Sequence, residues 1–354
     1  MRWWIVLPAL RISGGPIEAL RLGEDICSRG GDVAVLSMWH SLQEVPTALA
    51  VQRLSTWIPR VSRAPLQLPM LMLRFRQWLA SSANGSGDRF LFTHYSTLPL
   101  ATLVPRTQRY FFVQGLEWKF IANAAASAVL RRWVLRSYRN GTTIAANAYL
   151  TAELRRAGID VSLQMPVWAD PAFGQVESTN RDIDYAMVLR SGSVKRLDLY
   201  LAFIDAAFAA GRRVVVISPE DAIVDQIREK VAVSLLRPSL QEMRAVYARS
   251  RLFVHLSDHE GFGLPPLEAM GAGCVPLCRD SGGVRAFMSE PELRELLLPV
   301  ELNLAEIYSA GCSLLAEEER LQRLSRLSRK VYETGLTTTR LARAATLQHL
   351  QQLA

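Results

Sequence analysis

Short apolar runs alternate with longer helical stretches twice along the chain, and one polar break separates the two series. In the first series, residues 3–9 read as a strand and 10–16 as a loop that holds Gly14 and Gly15. A helix is expected over 17–29, with Ile17, Leu20 and Ile26 at helical spacing and Gly30-Gly31 to close it. Further strands are expected at 32–37, 89–93, 110–113 and 143–146, with a polar loop over 81–88. The break falls at 166–184, where a Pro- and Trp-bearing segment gives way to a polar run. The second series has strands at 184–189, 213–218, 252–256 and 274–278 and helices at 197–210 and 239–250. Ser239 with Glu242 forms a capping box at the start of the second of these helices. A last helix is expected over 338–353. Strands that are apolar nearly throughout belong to sheets buried on both faces, and alternation with helices gives them parallel pairing. The fold class is therefore α/β, with domains at 1–170 and 171–337 and a C-terminal helix at 338–354.

Hydrophobic residues make up 49% of the 354, enough for two cores, and no run is long and apolar enough to suggest a membrane-spanning helix. The opening run MRWWIVLPAL lacks a following small-residue cleavage site and reads as a buried strand rather than a signal peptide. Cys27, Cys274, Cys278 and Cys312 show no paired spacing and no histidines in ligand register, so they read as reduced core thiols of a cytoplasmic protein. Charge is uneven: residues 1–170 carry a formal +9 and residues 171–354 carry −1. Between 53 and 139 there are 13 basic residues and two acidic ones, Asp88 and Glu117. Such a field draws phospholipid, lipid diphosphate or nucleic acid. The Arg- and Trp-bearing stretches 70–79 and 128–139 read as helices able to lie on an anionic membrane surface, which makes peripheral attachment to the inner face of the plasma membrane the expectation. No zinc module, RNP motif or helix-turn-helix is present, so nucleic acid is not an expected partner.

Two carboxylates, Glu260 and Glu268, stand eight residues apart in a stretch that also holds Gly261, Phe262, Gly263 and Leu264. A strand precedes the stretch and another follows. Pro265 and Pro266 suit the first positions of a helix, where a missing N–H costs nothing, and Gly271 and Gly273 end it. On that reading Glu268 falls in the helix's first turn. Strand, Gly-rich loop, helix and strand form a unit that binds phosphorylated ligands.

The run EGFGLPPLEAM resembles the E-x7-E signature of family 4 of the retaining, nucleotide-sugar-dependent glycosyltransferases, the glycosyl transferases group 1. The likeness is strongest over about 185–290 and position-matched over the N-terminal half. It implies the GT-B fold: two Rossmann-like domains with parallel sheets facing across a cleft, and room for a C-terminal helix that crosses back to the N-terminal domain. It also implies a retaining, metal-independent hexosyltransferase, rhamnosyl- or mannosyltransferase-like, that uses a nucleotide-diphosphate sugar. The acceptor would be a glycan or lipid-linked glycan of bacterial cell-surface polysaccharide synthesis.

The resemblance assigns roles residue by residue. Arg190 and Lys195 match the basic pair that binds the donor diphosphate, although Leu189 and Arg196 stand where the family usually has glycines, so Arg196 enters as a third candidate. Glu260 would hold hydroxyls of the donor sugar and Glu268 those of the ribose. Backbone N–H groups of Phe262, Gly263 and Leu264 would face sugar and phosphates. Gly14 and Gly15 match a loop beside the donor phosphate, and His94 a histidine that contacts the donor sugar. Gln114 and Glu117 resemble a Gln-x-x-Glu stretch of rhamnosyltransferase-like members and are acceptor-side candidates. Because both Glu260 and Glu268 come from one loop and helix, a double displacement between two facing carboxylates is not expected. The family is thought to react at the front face of the sugar, with the departing phosphate taking the acceptor's proton. Asp182-Ile183-Asp184 spells a metal-binding DxD but lies in the break between domains, and no metal or cofactor is expected. Residues 217–220 replace a Gly-rich turn of the relatives, which leaves the base and the sugar open. The alternatives are a sugar-nucleotide epimerase or phosphorylase-type enzyme on the same fold and a non-enzymatic binder of anionic ligands. Phosphorylases hold their cofactor on a lysine, and none of Lys119, Lys195, Lys230 and Lys330 has a matching context.

Overall fold

The computed structural model of the chain describes residues 1–10, 14–41, 44–55, 64–81, 87–176 and 180–352. The expected loop at 81–88 falls largely outside them, as do residues 11–13 of the loop expected at 10–16. Two compact units result: Met1–Trp118, Ala124–Val167 and Leu341–Ala354 form one, and Lys119–Asn123 with Trp168–Arg340 the other.

The first unit is built on a seven-stranded parallel sheet. Its strands are β1 (Arg2–Leu7), β2 (Asp32–Ser37), β3 (Ala50–Arg53), β4 (Arg89–Phe92), β5 (Arg109–Val113), β6 (Thr142–Ala145) and β7 (Leu163–Gln164), in spatial order β3-β2-β1-β4-β5-β6-β7. Its helices are α1 (Gly14–Ser28), α2 (Ala64–Ser81), α3 (Leu98–Ala101), α4 (Ala124–Tyr138) and α5 (Ala148–Arg156). Trp3 to Leu7 are all buried, as the unbroken apolar run requires of a central parallel strand. Asp88 ties the start of the sheet by accepting from Arg2 N at 2.9 Å and from the Trp4 indole at 3.1 Å.

The second unit repeats the plan with six parallel strands. They are β8 (Ile183–Val188), β9 (Val214–Ser218), β10 (Val233–Leu236), β11 (Ser250–His255), β12 (Val275–Arg279) and β13 (Leu297–Leu298), in order β10-β9-β8-β11-β12-β13. The helices are α6 (Leu197–Ala209), α7 (Asp221–Ile227), α8 (Leu240–Arg249), α9 (Leu264–Gly271), α10 (Pro291–Arg294), α11 (Leu304–Ala316) and α12 (Glu318–Gln352). The predicted capping box opens α8: Ser239 accepts from Glu242 N while Glu242 accepts from Ser239 N.

Each sheet reverses its winding once, between β1 and β4 in the first unit and between β8 and β11 in the second. Loops leaving the carboxyl ends of two such strands diverge to opposite faces, and the crevice between them is where open α/β sheets bind ligands.

Several expectations need correction. Gly14 and Gly15 are not in a loop but open α1. Pro16 fits beside them because the first turn's N–H groups lack helical partners anyway. The helix expected at 338–353 is the end of a longer one, α12, which belongs to the second unit up to Arg340 and to the first from Leu341. Leu353 itself lies outside the described residues. Of the four thiols expected in cores, only Cys274 and Cys278 are buried; Cys27 and Cys312 are half-buried.

Candidate active site

At the switch point of the second sheet, β8 ends in the loop from Leu189 to Arg196 and β11 in the loop from Leu256 to Gly263. The loops are joined by backbone and side chain. Asp258 N donates to Val194 O at 2.8 Å, and Lys195 Nζ donates to Glu260 Oε1 at 2.7 Å. Glu260 is half-buried, its side chain 15% exposed. Burial pushes its carboxyl up, but the Lys195 ammonium and hydrogen bonds from Lys195 and Ser257 outweigh that and hold it below the usual carboxylate range. His255 Nε2 lies 3.5 Å from the same Oε1. The backbone of Glu260 is fixed too: its N–H donates to Ser281 O at 3.0 Å, and Glu260 bridges Gly282 in parallel fashion.

That contact needs a glycine. A Cβ on Gly283 would stand 2.5 Å from Phe262 N and 2.7 Å from the Gly261 carbonyl carbon. Gly263 takes φ 93° and caps α9, and Phe262 is buried edge-on against Trp168 and Phe287. Pro265 and Pro266 follow as the second and third residues of α9, so two of the helix start's free N–H donors are missing. Gly263 and Leu264 are the ones left. Glu268 is the helix's fifth residue, half-buried and one turn further in than the first-turn position expected of it.

The three cations of the first loop differ in their engagement. Arg190 is exposed and has no partner among the described residues. Lys195 is held by Glu260. Arg196 takes the left-handed conformation, φ 50° and ψ 48°, which only glycine adopts without strain. Its guanidinium pairs with Asp198 at 2.9 Å and reaches Asp258 at 3.5 Å, and Asp258 also pairs at 3.0 Å with buried Arg279. Arg196 thus braces the loop. Asp182 and Asp184 of the DxD lie at the opposite, amino end of β8. Asp182 pairs with Arg249 at 2.6 Å and Asp184 accepts from Arg213 N at 2.9 Å.

The first unit's candidates gather at the carboxyl ends of β1, β4 and β5, three neighbours in its sheet. A Cβ on Gly15 would stand 3.7 Å from Gln114 Oε1, so the start of α1 and the end of β5 approach closely. His94 caps a 3-10 turn after β4: its Nδ1 accepts from Ser96 N at 3.2 Å. Burial lowers its pKa to about 4, so the ring is neutral and its proton sits on Nε2. Glu117 points inward and is 9% exposed. It accepts from Tyr95 N at 3.2 Å and from Tyr138 Oη at 3.2 Å, and burial raises its pKa to about 7. Glu117 therefore holds the turn that carries His94.

Sequence reasoning missed His255, Ser257, Asp258, Arg279 and the Ser281-Gly282-Gly283 turn. Two signals were there to read. His255 is a polar residue at the end of an apolar strand, and Gly282-Gly283 follows a strand in the same way that Gly14-Gly15 does.

Residues 225–331, which hold this whole second loop, match the family model described as Glycosyl transferases group 1. Over 54 residues, 15% of the chain, the sequence is 43% identical to a GDP-mannose:cellobiosyl-diphosphopolyprenol alpha-mannosyltransferase of Xanthomonas oryzae pv. oryzae. That match spans 14% of the relative's own length. Among solved structures, a sucrose-phosphate synthase from Thermosynechococcus elongatus superposes with a TM-score of 0.79 at 16% identity, over 99% of this chain and 98% of that one. HepE of Anabaena, solved with UDP-glucose, gives 0.73 at 13% identity, over 99% and 100%. The fold is that of the GT-B glycosyltransferases, two parallel-sheet Rossmann-like domains, and the segment carrying Glu260 and Glu268 matches glycosyl transferases group 1.

Proposed function

We propose that the chain is a retaining, metal-independent glycosyltransferase of family 4, in which Glu260 and Glu268 are the two glutamates of the E-x7-E signature. It would move a hexosyl group from a nucleotide-diphosphate sugar to a lipid-linked glycan in bacterial cell-surface polysaccharide synthesis. The observation that carries this reading is the Glu260 carboxylate at the second sheet's switch point, ionised and held by Lys195 on one oxygen, within the segment that matches the family model. The Xanthomonas relative's name specifies a nucleotide-diphosphate sugar and a polyprenol-linked acceptor, which supports both halves of the assignment.

In this reading the bond from the anomeric carbon to the diphosphate breaks as the diphosphate takes up negative charge. Arg190, free in the described structure, and Lys195 stabilise that charge. The acceptor hydroxyl attacks from the same face, and its proton passes to the departing phosphate oxygen. Glu260 accepts from sugar hydroxyls, and Glu268 accepts from the ribose diol. Acceptor recognition falls to the first unit, with Gln114 as its polar group. Peripheral membrane attachment on the cytoplasmic side follows from the lipid-linked acceptor and from the basic first half.

Glu260→Ala and Glu268→Ala in the full chain test the assignment. Transfer from the nucleotide sugar, or its slow hydrolysis, should fall by about 100-fold or more in each. Near-wild-type turnover in both variants would overturn it.

A further inference from the structure

We infer that His255 is a positioning residue for Glu260: its Nε2 and the Lys195 ammonium converge on one carboxylate oxygen, Oε1, and fix the orientation in which the carboxylate meets the sugar. The inference rests on the donor-site reading above.

His255 is the last residue of β11, after the apolar Leu252, Phe253 and Val254, and is 4% exposed. Its Nε2 is buried and has no hydrogen-bond partner, yet it stands 3.5 Å from Glu260 Oε1. Buried ring nitrogens are seldom left unpaired, and one facing a carboxylate is tolerated only as a donor, since a lone pair there would be repelled. The ring is therefore the Nε2–H tautomer. Burial keeps it neutral, with a pKa of about 4, so it contributes a dipole rather than a charge. At 3.5 Å the contact is longer than an ordinary hydrogen bond and shortens with a small shift of the carboxylate. Lys195 reaches the same oxygen at 2.7 Å.

The base under the ring is rigid. His255 pairs with Cys278 across β11 and β12, and the next residue's N–H, that of Leu256, donates to Tyr200 Oη at 2.8 Å. Ser257 bonds both Tyr200 and Glu260 through its side chain. A ring mounted this way fixes the orientation of the carboxylate, and a sugar hydroxyl then meets an acceptor in one direction.

The test is a split between two affinities. Calorimetry on the full chain measures Kd for the best-binding nucleoside diphosphate of UDP, GDP and dTDP and for its glucose, mannose or rhamnose conjugate. Wild type, His255→Leu, His255→Gln and His255→Asn are compared. Gln can place an N–H near the Nε2 position; Asn is too short, and Leu has none. The inference predicts that Leu and Asn each weaken the nucleotide sugar by about tenfold and leave the bare nucleotide unchanged, while Gln stays within about threefold of wild type for both. Should Leu fail to fold, the contrast between Asn and Gln decides the matter. Equal losses for nucleotide and nucleotide sugar, or no loss in any variant, would overturn the inference. Failure of the donor-site reading looks different: wild type itself would then bind none of the nucleotides.

Discussion

Arg196 shows how single residues here meet conflicting demands. A left-handed backbone costs a non-glycine residue about 1 kcal/mol, and the two carboxylates on its guanidinium offset that. Glu117 is the opposite case, a carboxylate kept inside the fold. Its folded pKa of about 7 lies above its ordinary 4.5, so the folded chain holds the proton more tightly than the unfolded one. The stability this gives is full below the ordinary value and is lost as pH rises through about 7. Glu117→Gln keeps an acceptor for Tyr95 N–H and cannot ionise. Its melting temperature relative to wild type should therefore rise between about pH 5 and about pH 8, and a constant difference would contradict the assignment. At this scale the sequence made the loop positions of Lys195, Glu260 and Gly263 legible, because each follows an apolar strand. It did not reveal Asp258 or Arg279. Their meaning lies in a pairing across two strand ends that no local pattern encodes.

Elements were read well where periodicity and caps agreed and badly where glycine spoke against them. The pair Gly14-Gly15 reads as a turn, yet both open α1. Gly335 lies just ahead of residue 338, where the last helix is expected to start. In the structure it lets the helix approach Trp168, whose ring fills the space a Cβ would need and whose indole N–H donates to Tyr332 O at 3.1 Å. The continuous α12 follows from that packing. Beyond residue 340 it is clamped by Arg343, which pairs with Asp25 at 2.5 Å and with buried Glu18 at 3.4 Å on α1. The turn after β12 is the element most exposed to substitution. Gly283→Ala sets a methyl group against the backbone of Phe262 and should cost about 2–3 kcal/mol in urea unfolding, with loss of nucleotide-sugar binding. A variant as stable as wild type with intact binding would show that the Gly282-Gly283 turn does not set the Glu260 loop.

At the scale of the molecule, two sheets with one reversal each place the candidate groups at two carboxyl edges. This much was legible, since alternating strands and helices dictate parallel sheets; the edge strands β3, β7, β10 and β13 were not, being short and half-exposed. The charge asymmetry belongs to this scale too. Residues 118–152 hold five basic residues and no acidic one. On α4, Arg131, Arg132 and Arg136 point outward beside Val129, 69% exposed, and Trp133. The expectation for α2 is weaker, because Trp78 turns inward and donates to Gln52. No helix among the described residues is long and apolar enough to cross a membrane. Liposome flotation should therefore show binding to anionic vesicles that falls with salt and is reduced by Arg132→Glu with Arg136→Glu; no binding, or binding indifferent to salt, would remove the membrane from the account.

The central claim is that the loops after β8 and β11 bind a nucleotide-diphosphate sugar. Thermal unfolding with UDP, GDP and dTDP tests it most directly. One nucleotide should raise the melting temperature of the full chain by about 3 °C or more at saturating concentration, and Arg190→Ala combined with Glu268→Ala should abolish the rise. No shift with any of the three, or an undiminished shift in the double variant, would contradict the claim.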